Sequence, residues 1–127
     1  MSLALTTDPR LKRLTEICST LPEVVQVIHD DFADFRVRKK VFAYFFDDHD
    51  SDGIVSICVR SELRENVELA TAAPDLYYLP PYIGSRGWFG IRVDVGSIDW
   101  KDVDGAVQHS YRLAAPKTLL KRLSEKT

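Results

Sequence analysis

One segment, residues 80–94, most constrains how this chain can fold. Pro80 and Pro81 fix two backbone φ angles and withhold two N–H groups, so they exclude a central β-strand at that point. Gly84 and Gly87 then bracket two polar residues, which is typical of a tight turn because glycine reaches positive φ at little cost. The segment therefore predicts a rigid connection that turns sharply into the strand after it.

An alternating pattern follows the turn and predicts a half-buried strand. One face of that strand is uniformly apolar and belongs in the core: Phe89, Ile91, Val93 and Val95. The opposite face is mixed: Trp88, Gly90, Arg92 and Asp94. On the mixed face, we expect Gly90 to leave room beside Trp88 or Arg92.

Two interpretations of the mixed face stay open. In the first, Trp88 covers a sheet edge and Arg92 pairs with Asp94 or another neighbour, since exposed aromatic residues pack more often than they bind. In the second, the face belongs to a surface ligand site with four members: Tyr82, Arg86, Trp88 and Arg92.

The composition is that of one ordinary globular domain. The chain has 127 residues, of which 45% are hydrophobic and 28% are charged. The net charge is −2, whereas a dedicated nucleic-acid binder is more often basic, which counts against that function without excluding it. No apolar run reaches membrane length and no signal-peptide pattern opens the chain. Cys18 and Cys58 show no metal-ligand spacing, so we expect buried free thiols, a cytoplasmic location and no cofactor.

Helix signals recur along the chain. Three helices are predicted to begin at N-terminal caps: Asp8, Ser61 and Asp99. The second should bury Leu63, Val67 and Ala70, which recur at helical spacing. A short basic amphipathic helix should follow Pro116, and residues 1–7 are predicted to be a loose arm. With the strands, these elements predict a single α+β domain over residues 1–127, with an antiparallel β-sheet and helices packed on it.

The sharpest basic cluster lies at a predicted hairpin. Its members follow one another closely: Arg36, Arg38, Lys39 and Lys40. Arg38 and Lys39 occupy the turn, and residues 40–46 form the return strand. A charged hairpin tip is most often a solvated surface that deters edge pairing, but it can also bind phosphate.

The return strand is apolar on both faces, which predicts a central position in the sheet. Strict alternation places its side chains on two faces: Val41, Ala43 and Phe45 on one, and Phe42, Tyr44 and Phe46 on the other. Such a strand should be covered on both sides, or largely so.

An acidic loop after this strand resembles the start of a calcium loop, because Asp48, Asp50, Asp52 and Gly53 have the required spacing. The twelfth position is Val59, however, where a calcium loop needs a bidentate glutamate. We therefore favour an acidic connection in a hairpin and predict no metal site. No catalytic residue is predicted either, because His29 shows no motif with a nucleophile or an orienting carboxylate.

Four segments together carry a resemblance to a known family: FRVRKKVFA at 35–43, PYIGSRGWFGIRVD at 81–94, DW at 99–100 and SYRLAAPK at 110–117. With these segments, the chain resembles the MmcQ/YjbR family of small bacterial proteins over roughly residues 9–123. The resemblance implies a CyaY-like α+β fold and a double-wing DNA-binding motif. By position, it matches Lys40 and Arg86 to basic positions of the family, and Ser110, Tyr111 and Lys117 to its C-terminal signature.

The resemblance leads to a non-enzymatic DNA-binding module as the first hypothesis. Its basic hairpin wings would bring seven residues to the phosphates: Arg36, Arg38, Lys39, Lys40, Arg86, Arg92 and Lys117. If the DNA is single-stranded, Trp88 or Tyr82 could stack on a base. Many members have small residues at the hairpin tip, where this chain has Arg38 and Lys39. The alternative is a protein- or small-molecule-binding adaptor that uses the aromatic surface around Tyr82 and Trp88. The DNA hypothesis requires the basic side chains to share one face.

Overall fold

The strands of the chain form one antiparallel sheet, and the helices pack on it. The computed structural model describes residues 5–48 and 53–125. Within those ranges, the elements in chain order are α1 (Pro9–Ser19), β1 (Val24–Ile28), β2 (Phe32–Val37), β3 (Lys40–Asp47), β4 (Val55–Arg60), α2 (Glu65–Ala72), β5 (Tyr77–Tyr78), a 3₁₀ turn (Gly84–Arg86), β6 (Trp88–Arg92), α3 (Trp100–Ala114) and α4 (Lys117–Glu125). The strand order in the sheet is β1-β2-β3-β4-β6-β5, with every neighbouring pair antiparallel. The predicted α+β class is confirmed.

Carboxylate caps start helices α1 and α3, as the sequence predicts. The Asp8 carboxylate accepts a hydrogen bond from the backbone N–H of Arg10 at 2.8 Å. Asp99 accepts from the backbone N–H groups of Lys101 and Asp102 at 3.1 and 3.4 Å. Each cap satisfies N–H groups that a helix leaves without an internal partner, so both starts are specified locally.

The main core lies between the helices and one face of the sheet, which we call the helix face. Helix α3 contributes Val103, Val107 and Tyr111, all of them buried. Leu5 also belongs to this core and is buried, although it falls within the predicted arm of residues 1–7. Burying a leucine side chain contributes about 1.5–3 kcal/mol, which is enough to anchor the chain from Leu5 onwards.

A β-bulge in β3 changes which side chains reach each face. Phe35 pairs with Ala43 and Arg36 pairs with Val41, so Phe42 has no partner in the ladder with β2. The extra residue places Phe42 on the helix face beside Ala43, where both are fully buried. Val41 packs on the opposite face instead. The predicted strict alternation is therefore wrong for Val41 and Phe42.

Helix α2 turns a different face to the protein interior than its apolar spacing predicts. Leu63 precedes the helix and is 81% exposed, and Val67 is also exposed. Asn66 is buried instead, and its side-chain amide donates to the backbone carbonyls of Gly84 and Trp88 at 2.7 and 2.9 Å. Because these two bonds fix the rotation of α2, the predicted apolar stripe is wrong.

The other face of the sheet, which we call the open face, carries a smaller apolar cluster. Its buried members come from three neighbouring strands: Phe46, Cys58 and Trp88. The Tyr78 ring lies against Gly90, where any Cβ would collide with it, and the Tyr78 hydroxyl is 2.7 Å from Ser56 Oγ. Gly90 therefore makes room for Tyr78, and not for Trp88 or Arg92 as expected.

Strand β1 forms one edge of the sheet. Its five residues, VVQVI, carry no charge, and Val25 is 59% exposed. The side-chain amide of Gln26 donates to Thr15 Oγ of α1 at 3.0 Å. This contact joins the edge strand to the helix layer but leaves its apolar surface largely open.

Two glycine substitutions should have opposite effects on stability. Gly90→Ala drives a Cβ into the Tyr78 ring, so we expect the free energy of unfolding to fall by about 1–3 kcal/mol. Gly105 lies inside α3 with open space around the position of a Cβ, so Gly105→Ala should raise the free energy of unfolding by about 0.5–1 kcal/mol. Urea unfolding followed by circular dichroism measures both. An unchanged or higher free energy of unfolding in Gly90→Ala would contradict the packing of Tyr78 on Gly90.

Candidate functional site

Most of the predicted basic residues lie at one end of the sheet, which we call the basic end. Arg38 and Lys39 form the turn between β2 and β3, and Lys40 begins β3. The strand register brings the last residue of β4 and the first residue of β6 to the same end. The 3₁₀ turn that precedes β6 adds an arginine there. The basic end comprises Arg36, Arg38, Lys39, Lys40 and Arg86.

The turn of the basic end has an unusual backbone. Arg38 and Lys39 adopt φ angles of 49° and 71°, in the left-handed region that favours glycine. This pair of angles suits a two-residue hairpin turn, so the predicted turn is confirmed. Lys39 and Lys40 are exposed, and neither has an ion pair with any residue in the described part of the chain. The turn therefore presents two ammonium groups directly to solvent.

Arg38, in contrast, is held by carboxylate contacts. Its Nε and Nη2 atoms donate to the two carboxylate oxygens of Glu23 at 2.7 and 3.0 Å. Arg122 of α4 donates to the same carboxylate at 2.9 Å. The hydrogen bond from Arg38 is the main reason why the pKa of Glu23 lies below its ordinary value. This cluster ties the turn to the helix layer and leaves one positive charge in excess.

The two remaining predicted basic residues, Lys117 and Arg92, lie on α4 and at the far end of β6. Lys117 is exposed at the first residue of α4, just after the end of α3 that contacts the bulge of β3. Arg92 lies at the far end of β6, four residues from its start, which is about 13 Å along the strand. Its guanidinium donates to the Asp94 carboxylate at 3.1 and 3.0 Å, as the first interpretation of the mixed face expects. Hydrogen bonds from Arg92 lower the pKa of Asp94. Arg92 is therefore separated from the basic end.

Trp88 is the predicted site residue that the fold covers. Its side chain is 5% exposed, with the Tyr44 ring 5.2 Å away and the Arg60 guanidinium 5.0 Å from its ring centroid. In this arrangement the indole has no free face to stack on a base, which corrects its predicted role. Its contribution is to pack the open face and to hold Arg60 through a cation–π contact.

An aromatic groove lies on the open face. It has a volume of about 330 Å³ and an aromatic floor formed by Phe32, Tyr44 and Phe46. One wall comes from the connection that leads into β6, residues 81–83, and the opposite wall from β2 and the residue that follows β1. Tyr82 stands at the groove with 91% of its surface exposed and a φ angle of 69°. The structure thus holds one aromatic ring almost entirely in solvent, on a backbone conformation that tyrosine rarely adopts.

A charged network lines the wall of this groove. Asp34 has a side chain that is 3% exposed, and its carboxylate accepts from Arg36 at 2.7 and 3.1 Å. His29 Nε2 is 2.9 Å from the second oxygen of the same carboxylate. Burial alone would raise the pKa of Asp34, but the hydrogen bonds from Arg36 and His29 outweigh it and lower that pKa. For Tyr44, burial and the charge of Asp34 raise the pKa, so its phenol stays neutral at physiological pH.

Two residues of the C-terminal SYR segment have structural contacts. The Ser110 hydroxyl donates to the carbonyl of Phe42 in the bulge and accepts from the backbone N–H of Arg60 at 2.8 Å. The Tyr111 hydroxyl donates to the carbonyl of Pro22 at 2.8 Å. Ser110 therefore anchors α3 to the sheet and Tyr111 anchors it to the connection before β1, and neither side chain lines the groove.

The calcium-loop pattern falls largely outside the described part of the chain, since residues 49–52 are not among the described ranges. Asp48 is described, and its carboxylate accepts from the backbone N–H of Gly53 at 2.7 Å, as in a turn. Val59, the twelfth position of the pattern, is fully buried in β4. Residues 5–48 and 53–125 contain no group of three or more potential metal ligands.

Both cysteines are buried thiols that form no disulfide, as predicted. Burial raises the pKa of the Cys18 thiol, which makes it unreactive. In the described ranges, no helix combines the length and apolarity needed to cross a bilayer.

Sequence reasoning missed most of the groove. It assigned no role to Phe32, Asp34 or Tyr44, and it gave His29 no orienting carboxylate, which Asp34 now supplies. A usable signal was the polar alternation of Asp34 and Arg36 in β2, next to a strand that is apolar on both faces. That combination indicates a sheet face that no helix covers, with charged side chains along one side of it.

Comparisons with known proteins agree with this fold. A profile of the YjbR family matches residues 19–113 of the chain. A search of curated proteins finds no match. Among solved structures, the crystal structure of Deinococcus radiodurans protein DR2400, with the family domain DUF419, superposes with a TM-score of 0.69. The alignment covers 90% of this chain and 87% of that chain at 19% sequence identity, so it establishes a shared fold and says nothing of a shared ligand.

The Asp34 network should make stability depend on pH. Because the folded-state pKa of Asp34 lies below its ordinary value of 3.8, the unfolded chain takes up this proton first as the pH falls. The contribution of Asp34 is therefore complete at neutral pH and is lost below about pH 4. Asp34→Asn should lower the free energy of unfolding at pH 7 by about 1–3 kcal/mol and weaken its decline between pH 7 and pH 3.

Urea unfolding at several pH values measures this effect. Asp75→Asn is the control, because Asp75 is exposed and makes no ion pair within the described ranges. An equally steep acid decline in Asp34→Asn and the wild type would show that the network does not couple stability to pH.

Proposed function

The chain belongs to the YjbR family, and from this premise we propose that it is a non-enzymatic DNA-binding module whose basic end contacts phosphates. The observation that carries the proposal is the pair of exposed ammonium groups of Lys39 and Lys40 at the hairpin tip, with Arg86 at the same end of the sheet. Lysine ammonium groups on a protruding hairpin suit contacts to a phosphate backbone that are independent of base sequence.

The backbone of the turn supports this proposal. A residue other than glycine at positive φ costs about 1 kcal/mol, and this turn holds two long cationic residues there, Arg38 and Lys39. Glycine at these positions would relieve the strain but would remove the charges. Arg38 is held by Glu23, but Lys39 has no ion pair in the described ranges, so strain retained together with charge at Lys39 favours a binding role over a purely structural one.

Charge pairing limits the strength of the proposed contact. Arg36, Arg38 and Arg92 each share their charge with a carboxylate, so we assign the main phosphate contacts to four other residues: Lys39, Lys40, Arg86 and Lys117. With four such contacts, a plot of log Kd against the logarithm of the salt concentration should have a slope of about 3.6. The affinity should then fall roughly a hundredfold between 50 and 200 mM salt.

The test is a fluorescence-anisotropy titration of labelled DNA with the wild type and two double variants. Lys39→Ala/Lys40→Ala should weaken binding at low salt and reduce the salt slope by about 2. Lys12→Ala/Lys101→Ala removes the same charge from exposed positions on α1 and α3, and it should leave binding nearly unchanged. Arginine variants of the tip are less suitable, because Arg38 also anchors the turn through Glu23.

Two outcomes would contradict the proposal. One is the absence of binding to any DNA at low salt. The other is an equal loss of affinity in the two double variants, which would indicate a general charge effect. Lys39→Gly provides an independent check, because it relieves the positive φ and should weaken binding without loss of stability.

We propose a cytoplasmic location on separate grounds. Cys18 and Cys58 are both buried and neither forms a disulfide, which suits a reducing compartment better than an oxidising one. Fractionation of cells that produce the tagged protein tests this expectation.

A second candidate function is favoured by the aromatic groove. A concave, mainly apolar surface beside the exposed Tyr82 ring suits an adaptor that binds a small molecule or a protein segment. Thermal-shift screening with small aromatic compounds tests it: a compound should raise the Tm of the wild type and leave that of Tyr82→Ala unchanged. Equal shifts in both proteins would place the compound elsewhere.

A further inference from the structure

We propose that the aromatic groove takes one unpaired nucleobase, so that the protein prefers single-stranded DNA to duplex DNA. This inference rests on the proposed DNA binding and adds the form of DNA that is recognised. Base–aromatic stacking is tolerant of sequence because every base has a π-face. The groove supplies such a surface next to the residues that would hold the phosphates.

The aromatic rings of the groove are arranged for stacking. Tyr44 and Phe46 stack with centroids 5.0 Å apart and an interplanar angle of 15°, and Phe32 lies 5.8 Å from Phe46. Across this floor, Tyr82 stands at the wall with its ring almost fully exposed. A planar ligand between Tyr82 and the floor would bury apolar surface that is now open to water. A nucleobase has the planarity that this arrangement requires.

The wall of the groove carries polar groups. They suit the polar edge of a base better than they suit a purely apolar ligand. The Tyr44 hydroxyl makes no hydrogen bond within the described part of the chain, and its neutral phenol can both donate and accept. Arg36 uses Nε and Nη2 for Asp34, and its side chain remains partly exposed along the wall. His29 lies on the same wall and stacks on Phe32 with centroids 4.1 Å apart. These groups offer donors and acceptors to the polar atoms of a base.

The groove and the hairpin tip lie on one continuous path. Arg36 lines the groove and precedes Lys39 by three residues, a span of about 10 Å along the hairpin. A single strand that seats a base in the groove can therefore pass its next phosphates across the tip. In a duplex the bases are stacked and paired, so they reach the groove only if they are extruded. The geometry thus favours unpaired DNA.

The test compares three probes of about 12 nucleotides: a labelled single strand, the duplex of the same sequence and an abasic single strand with the same phosphates. The wild type should bind the single strand about tenfold more tightly than the duplex or the abasic strand. Tyr82→Ala should lose roughly that tenfold preference and keep its affinity for the duplex. Tyr82→Phe should retain the preference, because the ring and not the hydroxyl is required.

Leu63→Ala is the matched control, because Leu63 is exposed, apolar and outside the groove lining. It should behave as the wild type with all three probes. Since Tyr82 is almost fully exposed, Tyr82→Ala should remain folded, and circular dichroism checks this.

Equal affinity of the wild type for the single strand and the abasic strand would overturn the inference. If Lys39→Ala/Lys40→Ala still weakened binding in that case, the proposed DNA binding would stand without the groove. If the wild type bound none of the probes at low salt, the proposed function and this inference would both fail.

Discussion

The architecture depends on how two backbone carbonyls at the β3 bulge find hydrogen-bond donors. The bulge removes Phe42 from the ladder with β2, and a buried carbonyl without a donor costs about 1–3 kcal/mol. The Ser110 hydroxyl of α3 donates a hydrogen bond to the carbonyl of Phe42. The Arg60 side chain donates to the neighbouring carbonyl of Val41 at 2.9 Å. Ser110 also accepts the backbone N–H of Arg60. One helix and two strands are thus locked together where the sheet changes its register.

These hydrogen bonds at the bulge determine which side chains cover each face of the sheet. With Phe42 turned to the helices, the helix face is closed by a continuous apolar core. The open face receives Val41 in its place, and in the described part of the chain the connection before β6 covers it in part. The Asn66 side chain holds the end of that connection through hydrogen bonds to the carbonyls of Gly84 and Trp88. The incomplete cover leaves the groove, and the same bulge stands directly beside the hairpin that carries the lysines.

The sequence specifies the locally encoded parts of this fold well. The caps at Asp8 and Asp99 need only the next few residues, and the strands follow from alternation. The bulge is different, because the Phe42 carbonyl depends on Ser110, which is 68 positions away in the chain. The buried face of α2 likewise depends on two carbonyls that Asn66 reaches only after folding. The basic tip was predictable from consecutive charges, whereas the groove joins three separated segments and left only the alternation of Asp34 and Arg36 as a local signal.

Strand β1 has a consequence for the colloidal behaviour of the protein. An edge strand of high β-propensity without charge can pair with the same strand of another molecule and begin cross-β aggregation. Two carboxylates, Asp30 and Asp31, follow it closely, whereas Glu23 before it is paired with Arg38 and Arg122. Such flanking charges act as gatekeepers because they repel a second copy in register. The dispersion of this protein at high concentration therefore depends on charges outside the strand and not on the strand itself.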